Sequence, residues 1–358
     1  MSYQLLKQYG LSDEFFQESA LYDGLYLTRV VAQHRDIYKI VCENGEIQAV
    51  VSGKMLHNAH NSTDLPAAGD WVMADKNDNS VGNAVIHHIL RRKSSFVRKS
   101  AGRTMNTQVI SANIDIIFIC MSLIGDYNIR RLERYLSVAW DSGATPVIVL
   151  TKADLCDDTV HLLAEVESVS AGADVIISSA KTDYGIDNLK YYISEGITIA
   201  FIGSSGVGKS TLINRLAGND LLPVNTLRRD DKGRHTTTHR QLILLPDGGI
   251  LIDTPGMREL QISSADFSKS FDDIENLMTK CRYSDCRHSA EPGCAIKNAI
   301  ATGELSQQRY DNYRQLLSEN QYEGMDSRQL ENAKIRRMFG SRKEMKDLMQ
   351  EVKMKNRR

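Results

Sequence analysis

Long hydrophobic runs are missing from this chain: the longest, from about Ile116 to Ile124, is roughly half of what a bilayer span requires. No membrane-spanning helix is expected. The opening segment MSYQLLKQYGLSDEFF lacks a basic start followed by an apolar stretch, so no secretory signal is read there. Internal repeats and low-complexity tracts are also missing. Cysteine is sparse and unevenly spread. Cys42, Cys120 and Cys156 are scattered, whereas Cys281, Cys286 and Cys294 fall together with His288. That distribution excludes a disulfide framework and points to a metal site. What is present is the composition of an ordinary soluble protein, 42% apolar and 25% charged. With 358 residues, two or three domains are expected, in a cytoplasmic chain taken as a monomer by default.

The net charge of −1 hides an asymmetry. Residues 334–358 hold ten Lys/Arg against three Asp/Glu, leaving an acidic body with a basic tail suited to a polyanionic partner.

Three regions follow along the chain. Between about Gly24 and Lys99, the runs LYLTRVV, YKIVCE, EIQAVVSG, DWVMAD and AVIHHIL are short and β-like, punctuated by Gly, Asn and Asp. A small β-barrel of the oligonucleotide-binding (OB) type is expected. The stretch 94–107 (SSFVRKSAGRTMNT) reads as a linker. From about Val109 to Leu260, apolar strands alternate with amphipathic helices, as in a doubly wound, mostly parallel sheet whose ligands sit at the carboxyl ends of the strands. Beyond about Ala265 the chain turns helical and charged. The expectation is therefore a multidomain protein with an OB-like barrel over 1–99, a central α/β domain over 100–262, and a helical, metal-binding domain over 263–358.

Gly203-Ser204-Ser205-Gly206-Val207-Gly208-Lys209-Ser210 satisfies the phosphate-loop pattern, follows an apolar strand, and leads through Thr211 into the helical run TLINRLAG. Glycines let backbone N–H groups curl around phosphates, and the helix N-terminus adds a favourable dipole. Lys209 is expected to bridge the β- and γ-phosphates and Ser210 to ligate Mg²⁺.

Thr151-Lys152-Ala153-Asp154 ends a preceding strand. A carboxylate at Asp154 accepts from guanine N1–H and the N2 amine; adenine offers neither donor. Lys152 is able to lay its stem along the base or brace the phosphate loop. Ser179-Ala180-Lys181 follows the next strand and offers backbone N–H groups to O6. Downstream, Asp253-Thr254-Pro255-Gly256 ends the strand ILID; Asp253 suits an indirect Mg²⁺ partner and the Gly256 N–H a γ-phosphate donor. Gly233-Arg234-His235-Thr236-Thr237-Thr238 reads as a switch loop, one of whose threonines completes the Mg²⁺ shell.

The order base loop, second base loop, phosphate loop, GRHTTT, DTPG resembles that of the circularly permuted P-loop GTPases, and most nearly the small-ribosomal-subunit biogenesis GTPase family (RsgA, also called YjeQ). The resemblance covers nearly the whole chain. It implies GTP hydrolysis during late maturation of the small ribosomal subunit, with rRNA as the contact surface and the ribosome as activator. It also implies Thr237 as the Mg²⁺-linked threonine. One departure is Thr151, where the usual GTPase pattern has Asn. Met257 occupies the place where Ras-like enzymes carry a water-orienting glutamine, and a thioether cannot align water, so slow intrinsic turnover is expected. Arg234 and His235 are the residues available to supply that contact, and the resemblance favours His235 as catalytic beside Lys209 and Thr237. Because the DTPG segment runs directly into the Cys/His region, γ-phosphate-dependent movement is expected to pull on that neighbour.

Cys281-x4-Cys286-x-His288-x5-Cys294 gathers three thiolates and an imidazole within fourteen residues. That set completes a tetrahedral, structural Zn²⁺ site with no open position, in a segment expected to have little apolar core of its own. In the tail, Met338, Met345, Leu348 and Val352 recur at helical spacing among basic residues, as in an RNA-binding helix or a solvated tail. Two other functions stand beside the GTPase: an RNA-binding zinc protein with a passive nucleotide site, and an ATP-dependent kinase. Ser210 and Asp253 argue against the first, since a passive site needs no Mg²⁺ shell. Asp154 argues against the second.

Overall fold

The computed structural model describes residues 3–34, 36–78, 82–99, 107–170, 172–204, 206–219, 221, 240–253, 271–283, 285–288 and 291–321. Two short helices come first, α1 (Gln4–Gln8) and α2 (Asp13–Ser19). Their apolar positions Leu6 and Phe15 are buried, and the Phe15 ring stacks on Trp71 with centroids 5.5 Å apart.

Five strands then build the barrel: β1 (Tyr26–His34), β2 (Ile37–Cys42), β3 (Gly45–Val51), β4 (Trp71–Ala74) and β5 (Ala84–Ile89), with helix α3 (Gly53–Asn58) between β3 and β4. Each corresponds to one of the five β-like runs. They hydrogen-bond in the order β1-β2-β3-β5-β4, and β4 returns to β1, which closes the barrel and leaves no free edge within it. Val30, Ile40, Ile47, Ala49, Val72 and Ile86 fill its interior.

The expected linker is instead a hairpin arm. Strand β6 (Ser95–Lys99) pairs antiparallel with β7 (Thr107–Ala112), and Phe96 is buried in the main core. Polar letters around a single large aromatic hid a strand whose inward face is Phe96.

The α/β region follows as β8 (Ile116–Ser122), α4 (Ile129–Asp141), β9 (Thr145–Thr151), α5 (Thr159–Glu167), β10 (Asp174–Ile177), α6 (Ile186–Lys190), β11 (Thr198–Ile202), α7 (Lys209–Ala217), β12 (Arg240–Leu244) and β13 (Ile250–Asp253). The sheet order is β10-β9-β8-β11-β13-β12, parallel except for β12. Side-chain alternation divides it into two faces. Ile117, Ile119, Ile148 and Leu150 meet Leu132 and Leu136 of α4, while Phe118, Val147, Val149 and Phe201 meet Leu189 of α6 and Leu212 of α7. Such a sheet, covered on both faces, accounts for its near-continuous apolar strands.

Barrel and α/β sheet are not separate beads. Strand β12 pairs antiparallel with β1, placing Ala32 opposite Gln241, and one apolar cluster runs from Leu6, Phe15 and Trp71 through Phe96 and Ile110 to Ile117 and Ile252.

The last region comprises α8 (Asp272–Thr279), α9 (Ala295–Thr302) and α10 (Gln307–Gln321). Contrary to the sequence expectation, it has an apolar core of its own: Phe271, Ile274, Ile296, Ala299, Leu305, Tyr310 and Tyr313 are all buried together. These residues are spread over 43 positions, too dispersed to register as a run. The basic tail, including Met338, Met345, Leu348 and Val352, lies outside the described residues.

Candidate nucleotide site and Cys/His centre

The phosphate loop joins β11 to α7. Gly203 has φ +139°, and a Cβ there would meet the Cys120 carbonyl oxygen at 2.2 Å, so only glycine fits beside β8. Gly208, at φ +100°, is the turn into α7, whose first residues are Lys209, Ser210 and Thr211. The Lys209 ammonium lies over the loop, donating to the Gly203 carbonyl at 2.7 Å and to that of Ser204. Val207 is fully buried beneath the loop. Ser205 lies outside the described residues.

The two loops expected to read the base follow β9 and β10, on the far side of β8 from β11. Thr151 is buried at the end of β9; its hydroxyl donates to the Val207 carbonyl at 2.5 Å and lies 3.3 Å from that of Met121. A threonine at this position therefore ties the base strand to the phosphate loop, using the hydroxyl rather than an amide. Lys152 follows in the left-handed region, φ 61°, and Ala153 N–H donates to the Ser178 carbonyl. The Asp154 carboxylate accepts from the Ser179 hydroxyl at 2.7 Å, with the Lys181 ammonium 3.9 Å away. Ser179 Oγ in turn accepts from the backbone N–H groups of Lys181 and Thr182 at 3.3 Å. Thus Asp154, Ser179, Ala180 and Lys181 form one compact corner beyond β9 and β10, while the phosphate loop lies beyond β11. Asp253 is the last residue of β13, at the same end of the sheet. Arg234, His235, Thr236, Thr237 and Thr238, as well as Thr254, Gly256 and Met257, fall outside the described residues.

Residues not singled out in the sequence also reach the loop. Arg131, in the first turn of α4, donates to the Ser204 hydroxyl and to Asp126 Oδ1 at 2.6 Å. Asn128 caps that helix by accepting from the Arg131 N–H at 3.0 Å. Nothing in the run IRRLERYL marks one arginine as special; only the fold brings it to the loop.

The Cys/His centre stands apart, between α8 and α9. Ligand atoms of Cys281, Cys286, His288 and Cys294 all lie within 4.8 Å of one another. His288 Nδ1 is 3.5 Å from Sγ of both Cys281 and Cys294. A tetrahedral Zn²⁺ with ordinary Zn–S and Zn–N bonds separates such atoms by roughly 3.5 Å, so the donor set fits that ion. His288 takes φ 56°, a left-handed conformation that turns its ring toward the thiols.

A phosphate loop preceded in the chain by the T-K-x-D and S-A-K loops in one doubly wound sheet, with a closed barrel on its edge, is the arrangement of a circularly permuted GTPase. The RsgA GTPase family model matches residues 89–263. Small ribosomal subunit biogenesis GTPase RsgA 2 of Lactiplantibacillus plantarum is 49% identical over 98% of this chain and 99% of its own length. RsgA 1 of Oceanobacillus iheyensis is 42% identical over 86% and 89%. Among solved structures, YjeQ from Thermotoga maritima matches with a TM-score of 0.63 and 28% identity over 82% of this chain and 98% of that one. YloQ, described as a circularly permuted GTPase, matches with a TM-score of 0.59 and 25% identity over 83% and 95%. The chain belongs to the RsgA GTPase family and is a GTP hydrolase. An ABC transporter model also matches, over residues 186–357. That span holds the phosphate loop common to many nucleotide hydrolases but begins after both base loops. Among the described residues, no helix is long and apolar enough to cross a membrane.

Proposed function

We infer that this chain binds Mg²⁺–GTP at the carboxyl end of its parallel sheet and hydrolyses it as a step in late maturation of the small ribosomal subunit. The observation that carries this reading is the convergence of the Asp154 corner and the phosphate loop, joined by the Thr151–Val207 bond. In it, Asp154 reads guanine, helped by Lys152, Ala153 and the N–H groups of Ser179, Ala180 and Lys181. Residues 203–211, with Lys209 foremost, hold the phosphates. Ser210 and Thr237 are assigned to Mg²⁺, Asp253 to its outer contacts, Gly256 to the γ-phosphate and His235 to the attacking water. When bound there, Mg²⁺ would supply neutralisation of the charge that develops on the transferred phosphate.

Three functional units are assigned, 1–99, 100–262 and 263–358, in a cytoplasmic monomer. Cys281, Cys286, His288 and Cys294 would hold one structural Zn²⁺; four protein ligands leave no position for a reacting water. The partner is the small subunit named in the relatives' descriptions, with rRNA as the surface met by barrel, zinc module and basic tail. A passive nucleotide site is not favoured, since the relatives that match over nearly the whole chain are GTPases.

Phosphate release from purified protein, titrated with small ribosomal subunits, tests the proposal. Slow basal release that rises with added subunits is expected. Turnover indifferent to subunits would overturn the ribosomal part, and no GTP turnover under either condition would overturn the enzymatic part.

A further inference from the structure

Helix α4 touches the nucleotide site with one residue of its first turn and the zinc module with another. Arg131 donates to the Ser204 hydroxyl and pairs with Asp126 at 2.6 Å. Tyr135, one turn further on and buried, lines the same small cleft as Ser204 and Arg131. Two positions after Arg131, Glu133 is 1% exposed. One of its carboxylate oxygens accepts from Arg309 Nη1 at 2.7 Å and the other from Asn312 Nδ2 at 2.7 Å, both partners on α10. Arg309 additionally grips Asp273 of α8 through two bonds, at 2.8 and 2.9 Å. The guanidinium also stacks over Phe271, 5.0 Å from the ring centroid. Tyr310, next to Arg309, sets its ring 6.3 Å from that of His288. A continuous set of contacts therefore leads from the Cys/His centre through α10 and α4 to the phosphate loop.

Which end of the nucleotide Ser204 serves follows from the lysine. Lys209 Nζ rests on the carbonyls of Gly203 and Ser204, and this ammonium is the group that reaches the β- and γ-phosphates in a phosphate loop. Ser204 thus lies at the reacting end, away from the Asp154 corner. A side chain that fixes Ser204 bears on the chemical step more than on base recognition.

We propose that Arg131 is a positioning residue for GTP hydrolysis, acting through Ser204, and that the zinc module sets its placement through the Glu133–Arg309 ion pair on the same helix turn. The bidentate hold on Glu133 fixes the rotation and height of α4, and these determine where the Arg131 guanidinium falls. Docking of the helical module on a partner thereby gains a route to the active site separate from the chain continuity beyond Asp253. The inference rests on the GTPase reading.

Full-length chains carrying Arg131→Ala, Arg131→Lys, Glu133→Gln and Arg309→Gln would be compared for kcat, KM and affinity for a fluorescent GDP, with and without small subunits. Arg131→Ala is expected to lower kcat on the order of 10-fold while GDP affinity stays within about threefold, because misplacement at a distance from the chemistry costs rate more than binding. Arg131→Lys recovers part of the loss. Glu133→Gln and Arg309→Gln each slow turnover, and their effects shrink in an Arg131→Ala background, as residues in one network do. Hydrogen exchange over residues 203–208 rises in Glu133→Gln. Should Arg131→Ala fail to fold, Arg131→Gln, which keeps a donor toward Ser204, takes its place. Unchanged kcat in the Arg131 variants, or full additivity with the Glu133 and Arg309 variants, would overturn the proposal. Absence of turnover in the unsubstituted chain would instead remove the GTPase reading beneath it.

Discussion

The guanidinium of Arg29 donates to the hydroxyl of Thr198 at 3.0 Å, joining barrel strand β1 to the strand that carries the phosphate loop. The same side chain donates to the carbonyls of Gly69 and Asn113 at 3.2 Å and to that of Tyr9. Burial lowers its pKa to about 10, with the Asp115 carboxylate opposing that shift most strongly. Asp115 also accepts from the Thr198 N–H at 2.7 Å. One cation thus closes the seam where N-terminal helices, barrel and sheet meet.

Replacing Arg29 by Met keeps length and packing but strands these carbonyls and leaves Asp115 only the Thr198 N–H and the charge of Lys93. Losing one partner of such a buried polar network costs about 3 kcal/mol or more. Urea unfolding of Arg29→Met is expected to show this as a lower midpoint. A change below about 1 kcal/mol would mean that the carbonyls find other donors.

Asp154→Asn converts an acceptor into a group that is also able to donate. GTP affinity is expected to fall by about 1–3 kcal/mol, the worth of a bidentate base contact. A xanthine nucleotide, with an oxygen in place of the N2 amine, should gain. Competition binding with the two triphosphates decides it; equal losses for both would remove Asp154 as the base reader.

The hydroxyl of Thr151 is the brace between base strand and phosphate loop. Thr151→Val is nearly isosteric and leaves the Val207 carbonyl without that donor, at a cost of about 1–3 kcal/mol. GTP and GDP should weaken together in a titration of each, because the brace lies under the loop and not at the γ-phosphate. A loss confined to GTP would argue against this placement.

Metal content offers a separate check. One Zn per chain is expected by elemental analysis, falling on Cys286→Ser, with a lower melting temperature for the helical module. The module keeps its own apolar core around Phe271 and Ile296, so substitution should loosen it without unfolding the GTPase sheet. Retention of full zinc by Cys286→Ser would exclude that cysteine as a ligand.

Burial pushes the Glu133 carboxyl up from the usual range, against the opposing pull of Arg309. A raised folded-state pKa means that the folded protein binds this proton more tightly than the unfolded chain. The associated stabilisation is full below the ordinary carboxylate range and is lost as pH rises through the raised value. Glu133→Gln should flatten that part of the stability–pH curve, read by urea midpoints on the acid side of neutrality. An unaltered slope would show that other groups carry the dependence.

Much was legible in the letters. Each β-like run became a barrel strand, and G-x-x-x-x-G-K-S with T-K-x-D pointed to the GTP hydrolysis that membership of the RsgA family carries. Those features are local: strand periodicity, glycine at φ near +139°, and side chains whose chemistry is fixed by type. The sequence alone also grouped Cys281, Cys286, His288 and Cys294, because side chains within one short loop need little help from the rest of the fold to meet.

Only the tertiary structure decided which of several arginines matters. Arg29, Arg131 and Arg309 look like any other basic residue in their runs, and each acquires its role from partners far away in sequence. The same holds for Phe96, whose polar neighbours read as a linker, and for the dispersed core of the helical module. Hydrogen bonds that span from 73 to 176 positions leave no periodic trace along the chain, so the contacts that couple barrel, phosphate loop and Cys/His module appear only when the sheet is assembled.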